Sequence, residues 1–195
     1  MIDNDLKTRI EYRIREHHKL YELPVIAEYW EEIFAKSIED IEGYSDWRPD
    51  RSHSVGKDQI CTIEGRTIKI SNKSGKYSPT NNTLQISGSR SGEYKTLRQK
   101  LKFFSDKQED AYVCLATSTR KAERKEYYLF SFDTNILNYS EADWQPKYSK
   151  MGKQSGWFCK TDRYQAVIQQ SLSGQLWTTI NLEVSNIQPE VITID

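Results

Sequence analysis

The chain has 195 residues, 36% hydrophobic and 12% aromatic, with 28 basic and 28 acidic side chains. That length suits one domain able to bury a core without staples, and few apolar but many aromatic residues imply a polar, contact-making surface. No apolar run approaches the ~20 residues of a membrane span and no charged-then-apolar leader opens the chain, so a cytoplasmic protein without a membrane partner is expected.

The formal net charge of zero conceals segregation. Residues 1–47 carry 6 basic and 12 acidic side chains, residues 48–125 carry 17 and 8, and residues 126–195 carry 5 and 8. Gripping phosphates needs a local basic surface rather than a basic total, so the basic middle is compatible with nucleic-acid binding, as it is with an uneven spread of ordinary surface charge. Cys61, Cys114 and Cys159 are far apart and have no metal-binding spacing, so they are expected to be reduced core residues. His17, His18 and His53 form no H-x-x-x-H or H-N-H pattern, which leaves zinc hydrolysis and ββα-metal nuclease chemistry without ligands.

In chain order, Leu6, Ile10, Ile14 and His17 or Leu20 recur at helical spacing and predict an amphipathic helix over the first 20 residues. Pro24 opens a second helix with the stripe Ile26, Trp30, Ile33, Phe34 and Ile38, and these N-terminal helices fill residues 1–42. Glu28, Glu31 and Glu32 lie outside the stripe, where they solvate the helix, or one of them leans over the segment that follows residue 56 as a metal ligand. Residues 43–56 read as a loop, whose Arg48 and Arg51 are candidate DNA contacts or ordinary connection charges.

A catalytic core is expected over residues 57–132. Gln59–Ile63 and Thr67–Ser71 are strand-like runs around Glu64-Gly65, which predicts a hairpin. Counting outward pairs Cys61 with Ile68, Gln59 with Ile70 and Asp58 with Ser71, with Lys73 a diagonal neighbour of Asp58. One face is then apolar, through Cys61, Ile63, Ile68 and Ile70, and the other ends in Asp58, Ser71 and Lys73. Such a face suits metal-assisted phosphodiester hydrolysis: a carboxylate to hold Mg²⁺, and an ammonium to orient water or offset charge on the phosphorane. A solvated strand end has the same composition.

Residues 74–83 read as a flexible polar stretch, followed by a short strand over residues 84–87. Ser91 is the expected N-cap of a third helix with the stripe Tyr94, Leu97, Leu101 and Phe104, which puts Glu93 in its first turn facing the sheet. Residues 111–117 and 127–132 predict strands, the first reached by a right-handed crossover. Between them Arg120, Lys121, Arg124 and Lys125 form the densest basic cluster, suited to phosphate contact or to protecting a sheet edge. In the C-terminal elements, 133–195, the spacing predicts a helix over residues 161–173 and a strand over residues 175–182.

The order helix, hairpin, helix, strand, strand, with Asp58 and Ser71-Asn72-Lys73 on the hairpin, resembles the PD-(D/E)xK nuclease superfamily over roughly residues 20–132. Ser71 stands where the common motif has an acid. The chain is similar in this to a subgroup of type II restriction endonucleases with S-x-K, in which the missing carboxylate comes from the following helix; Glu93, in ISGSRSGEYKTLRQKL, would be that migrated acid. The lysine-to-glutamate separation is longer here than in the subgroup. The resemblance implies a single α/β nuclease domain with a restriction-endonuclease-like mixed sheet flanked by helices. It further implies Mg²⁺-dependent cleavage of double-stranded DNA by a homodimer, with Asp58 and Glu93 on the metal, Lys73 on the attacking water and Ser71 in support. Arg90, Arg120, Asn81 and Asn82 are candidates for reading bases. Repair or junction-resolving cleavage on the same fold, or a non-catalytic DNA-binding or assembly domain, are the alternatives.

Overall fold

The computed structural model describes residues 2–39, 41, 46–47, 59–63, 66–106, 109–119, 125–170 and 173–194, with backbone alone at 46, 47, 60, 61 and 63. Helix α1 (Asn4–Leu20) buries Leu6, Ile10 and Ile14, and the Asp3 carboxylate caps it by accepting the Leu6 N–H at 2.8 Å. Helix α2 (Ala27–Glu39) buries Trp30, Ile33, Phe34 and Ile38. Ile26, expected in that stripe, is 51% exposed, and Val25 is buried instead. The Ile26 carbonyl accepts the Trp30 N–H, so Ile26 stands at the cap, outside the helical face.

The strands are β1 (Asp46–Trp47), β2 (Gln59–Ile63), β3 (Arg66–Ser78), β4 (Thr83–Arg90), β5 (Ala111–Ser118), β6 (Lys125–Asp133), β7 (Trp144–Tyr148), β8 (Gln154–Lys160), β9 (Tyr164–Gln169), β10 (Gln175–Asn181) and β11 (Glu190–Ile194), with α3 (Leu97–Asp106) before β5. They make one mixed α/β sheet. Nine run in the order β11-β6-β5-β3-β4-β10-β9-β8-β7, and β2 with β1 branches from β3. β3 and β5 are parallel. The β2–β3 register is the expected one at every described pair, from Ile63 with Arg66 to Gln59 with Ile70.

Two cores use the sheet as a shared wall. On one face α1 and α2 pack on Ile70, Val113, Leu115, Tyr127, Leu129 and Ile192. On the other, Leu101 and Phe104 of α3 pack against Leu84, Ile86, Cys114, Phe130, Ile168 and Leu176. Among the described residues no helix is long and apolar enough to cross a membrane.

Four expected elements differ, the first being the loop expected over residues 43–56, where Asp46–Trp47 form β1 and pair with β2. Residues 74–78, expected as loop, continue β3, because β5 pairs with it as far as Tyr77. Gly75 is a packing glycine rather than a turn residue: a Cβ there would lie 2.9 Å from the Gln85 carbonyl oxygen and 3.0 Å from Cys114 Sγ. Helix α3 starts at Leu97, not after Ser91, because Thr96 and Gln99 form a capping box; Thr96 Oγ1 accepts the Gln99 N–H at 3.3 Å and Gln99 Oε1 accepts the Thr96 N–H at 3.1 Å. The helix expected over residues 161–173 is strand β9, whose Tyr164, Ala166 and Ile168 are buried at a period of two. The C-terminal third therefore does more than complete a core, adding β7 to β10 beside β4.

The seam between α1 and β6 is polar. Tyr127, 1% exposed, accepts the Val25 N–H at 2.9 Å through its hydroxyl, which lies 2.7 Å from His18 Nε2. His18 Nδ1 is 3.1 Å from the Tyr21 carbonyl oxygen. Burial lowers the His18 pKa, opposed by the Tyr21 contact and reinforced by the charge of Lys125. The folded chain therefore binds fewer protons here than the unfolded chain below the ordinary value of 6.5, so this group's contribution to stability is present above 6.5 and declines as pH falls through that value. The unfolding midpoint should fall from about pH 7 to about pH 5, and His18→Gln should flatten that fall. An identical slope in the variant would assign it to other groups.

Candidate functional site

A local conflict in strand pairing makes the site. One edge of β3 is paired with β5 from Ile70 to Tyr77. On the other edge, among the described residues, β2 pairs as far as Ile70 and β4 from Gly75. Two strands thus share one edge end to end, and Ser71, Asn72, Lys73 and Ser74 face the fork between them.

Alternation decides what enters the fork on each face. Ile70 belongs to the α1–α2 core, so Asn72 and Ser74 face that side while Ser71, Lys73 and Gly75 face the α3 side. Ser71 and Asn72 are buried, and Lys73 is half-buried. Lys73 Nζ donates to Ser71 Oγ at 2.5 Å and lies 5.2 Å from the centroid of the Tyr112 ring, the residue that pairs with Ser71. The hydroxyl and the π-face together fix the ammonium at the mouth of the fork. Opposite Lys73 is Cys114, fully buried. Burial pushes its thiol pKa up, and the Lys73 charge offsets this only in part. A thiol held protonated in that way is a poor nucleophile, which leaves the Lys73 ammonium and the Ser71 hydroxyl as the reactive polar groups on this side of the fork.

Tyr112 also walls a cavity of about 80 Å³ between α3 and the sheet. Glu109, Thr134 and Tyr139 line it with Leu101 and Phe104. Glu109, 8% exposed, is a carboxylate that no motif in the sequence singles out. The one signal for it is an acidic pair, Glu109-Asp110, placed directly before an apolar strand. Asp110 is structural, its Oδ2 accepting the Lys69 N–H at 2.7 Å.

The other expected residues divide. Asp58, Arg48, Arg51, Arg120, Lys121 and Arg124 lie outside the described residues. Asp58 is bonded to Gln59, the last described residue of the ladder. Glu93 is exposed and precedes α3 by four residues instead of sitting in its first turn facing the sheet; its partner is the Tyr94 hydroxyl. Arg90 ends β4 on the fork side, four residues beyond Ile86, with its Nε donating to Gln175 Oε1 at 3.1 Å. Asn81 and Asn82 form the β3–β4 turn, five or more strand residues from Lys73 and so about 17 Å away. Asn82 is there for its backbone, with φ 47° and a carbonyl that accepts the Leu182 N–H at 3.1 Å. Glu28, Glu31 and Glu32 are exposed on α2, and Gln59 Nε2 donates to the Glu31 carbonyl at 3.5 Å, so α2 does reach the start of β2.

Among the described residues no three His, Cys, Asp or Glu side chains stand together to hold a metal. No protein-family model matches the chain, and no curated relative matches it.

With both described thiols buried, a disulfide reagent at mildly alkaline pH should leave Cys114 and Cys159 unmodified in the folded protein and label both in denaturant. Fast labelling of Cys114, read by peptide mass, would mean that the fork opens to solvent.

Proposed function

We propose that the chain is a Mg²⁺-dependent endonuclease of the PD-(D/E)xK kind that cleaves double-stranded DNA at a specific sequence, acting as a homodimer in the cytoplasm, in the manner of a type II restriction enzyme. The observation that carries this reading is the fork, where an S-x-K segment interrupts the pairing of a central strand immediately beside the β2–β3 ladder whose next residue is Asp58. The helical layers on both faces and the parallel β3–β5 pair are consistent with it.

The donor set suits an oxygen-seeking dication once Asp58 is counted, with a second carboxylate from Glu93 or from Glu109, whose cavity shares the Tyr112 wall with Lys73. When bound, Mg²⁺ would supply charge neutralisation at the phosphate and acidify a water. Lys73 orients the attacking water and offsets charge as the phosphorane forms. Ser71, occupying the place of an acid, holds the ammonium on that line, and Tyr112 beneath it restricts its rotamers. Arg90, exposed at the fork end of β4, would contact the DNA, and the basic residues Arg48, Arg51, Arg120, Lys121 and Arg124 are further candidates from the sequence.

Incubation with phage DNA and Mg²⁺ should give discrete fragments; preference for branched substrates would assign repair or junction cleavage, and intact DNA would overturn catalysis. Lys73→Ala and Asp58→Ala should each slow cleavage by about a hundredfold or more. Lys73→Ala should cost no more than about 1 kcal/mol of stability, the scale of its aromatic contact. Glu93→Ala and Glu109→Gln separate the two acids, because only loss of the true ligand abolishes cleavage with Mg²⁺.

A further inference from the structure

Strands β4, β7, β8, β9 and β10 contain no Asp or Glu. Across residues 126–195 the net charge is negative, yet the β7–β8 hairpin, residues 144–160, holds Lys147, Lys150, Lys153 and Lys160 and no acid. None of these four lysines is in an ion pair among the described residues.

One face of these strands is buried against α3, through Ile86, Cys159, Ala166, Ile168 and Leu176. The opposite face has no helix on it among the described residues, since α1 and α2 pack on β3, β5, β6 and β11. Strand pairing aligns that open face in rows. Lys160 pairs with Gln165, Gln165 with Thr179, Thr179 with Gln85 and Gln85 with Lys76, so a polar row with an ammonium at each end spans four strand spacings, about 19 Å. In the adjacent row Phe158 and Trp177 both pair with Val167. Trp177 is 39% exposed on this open face, an expensive place for an indole with no ring stacked on it among the described residues.

We propose that this open face binds a single-stranded stretch of nucleic acid, with unpaired bases stacked on Trp177 and Phe158 and the backbone phosphates held by Lys147, Lys160 and Lys76. Aromatic rings amid lysines and amides, with no carboxylate to repel phosphate and no arginine in the two rows to read a duplex groove, make a stacking platform within an electrostatic track. Against an anionic membrane the same lysines would serve, but the apolar residues of the face, Phe158, Val167 and Trp177, make a single row bordered by the polar row of Gln165, Thr179 and Gln85, not a broad apolar face to insert. The surface goes beyond the nuclease reading and does not depend on it.

The test is fluorescence anisotropy with a labelled deoxythymidylate oligomer of about 12 nucleotides, in chelator so that cleavage is silent. Wild-type protein should bind it at low salt more tightly than a blunt duplex. Trp177→Ala should weaken binding about tenfold while Trp177→Phe retains most of it, and the double variant Lys147→Ala, Lys160→Ala should lower the salt slope. Lys36→Ala, on α2 and paired with Glu39, should bind as wild type does, which separates loss of this face from a general loss of positive charge. Wild-type affinity in all the face variants, or binding to anionic vesicles and not to the oligomer, would overturn the proposal. Far-ultraviolet circular dichroism checks that each variant folds.

Discussion

The competition of β2 and β4 for a single edge of β3 is the constraint on which the candidate site depends. β3 is long enough to serve both, and β5 holds its other edge continuously, so the strand cannot bend away to resolve the conflict. Among the described residues, Ser71 to Ser74 have no ladder on one side, in a region where Ser71 and Asn72 are almost wholly buried. The side chains in that stretch are mostly short and polar. The chain has Ser71, Asn72 and Ser74 there, with one long cationic side chain that reaches from the gap to an aromatic ring.

The two cores explain why the gap stays open. Ile70 anchors β3 under α1 and α2 just before it, and Gly75 locks β3 against β4 and Cys114 just after it, at distances no other residue tolerates. Strand and sheet are therefore rigid on both sides of Ser71-Asn72-Lys73. Lys100 extends the same logic to α3. It is 4% exposed, its ammonium donating to the Ser91 carbonyl at 2.6 Å and lying 5.9 Å from the Trp157 ring. Burial lowers its pKa, and the bond to Ser91 ties the end of β4, the turn carrying Glu93 and α3 into one unit.

What was legible in the sequence was local. The β2–β3 register followed from the two-residue loop and the period of the β-branched residues, and the helical stripes of α1 and α2 followed from spacing of Leu6, Ile10, Ile14 and of Trp30, Ile33, Phe34. The fork was not legible, because it depends on β4 reaching back to the same edge, a contact between segments whose order says nothing about register. Gly75 and the Ser-Gly-Lys run read as loop because glycine signals a turn and a close backbone approach alike. Tyr164, Val167 and Ile168 satisfied a helical period, but Tyr164, Ala166 and Ile168 satisfy a strand period equally, and neighbouring β8 and β10 decided between them. The start of α3 was misplaced for a different reason: Thr96-Leu97-Arg98-Gln99 carries a capping box that the nearer Ser91 obscured.

The distribution of carboxylates limits how a dication could be held. β2, β3, β4 and β5, the strands that surround the fork, contain no Asp or Glu. The sheet itself therefore contributes cation and hydroxyl, Lys73 and Ser71, and the candidate acids lie off these strands: Asp58 before β2, Glu93 before α3 and Glu109 before β5 in the sequence, and Glu28, Glu31 and Glu32 on α2. Side chains on connections are positioned less rigidly than those on paired strands, and their carboxylates repel one another until a cation arrives between them. An ammonium fixed on the sheet lessens that repulsion beforehand, and because Ser71 and Tyr112 both restrain Lys73, it does so from a defined point. With serine on β3 and no acid on the strands around it, any ion bound at the fork would be held by side chains outside those strands and not by the strands themselves.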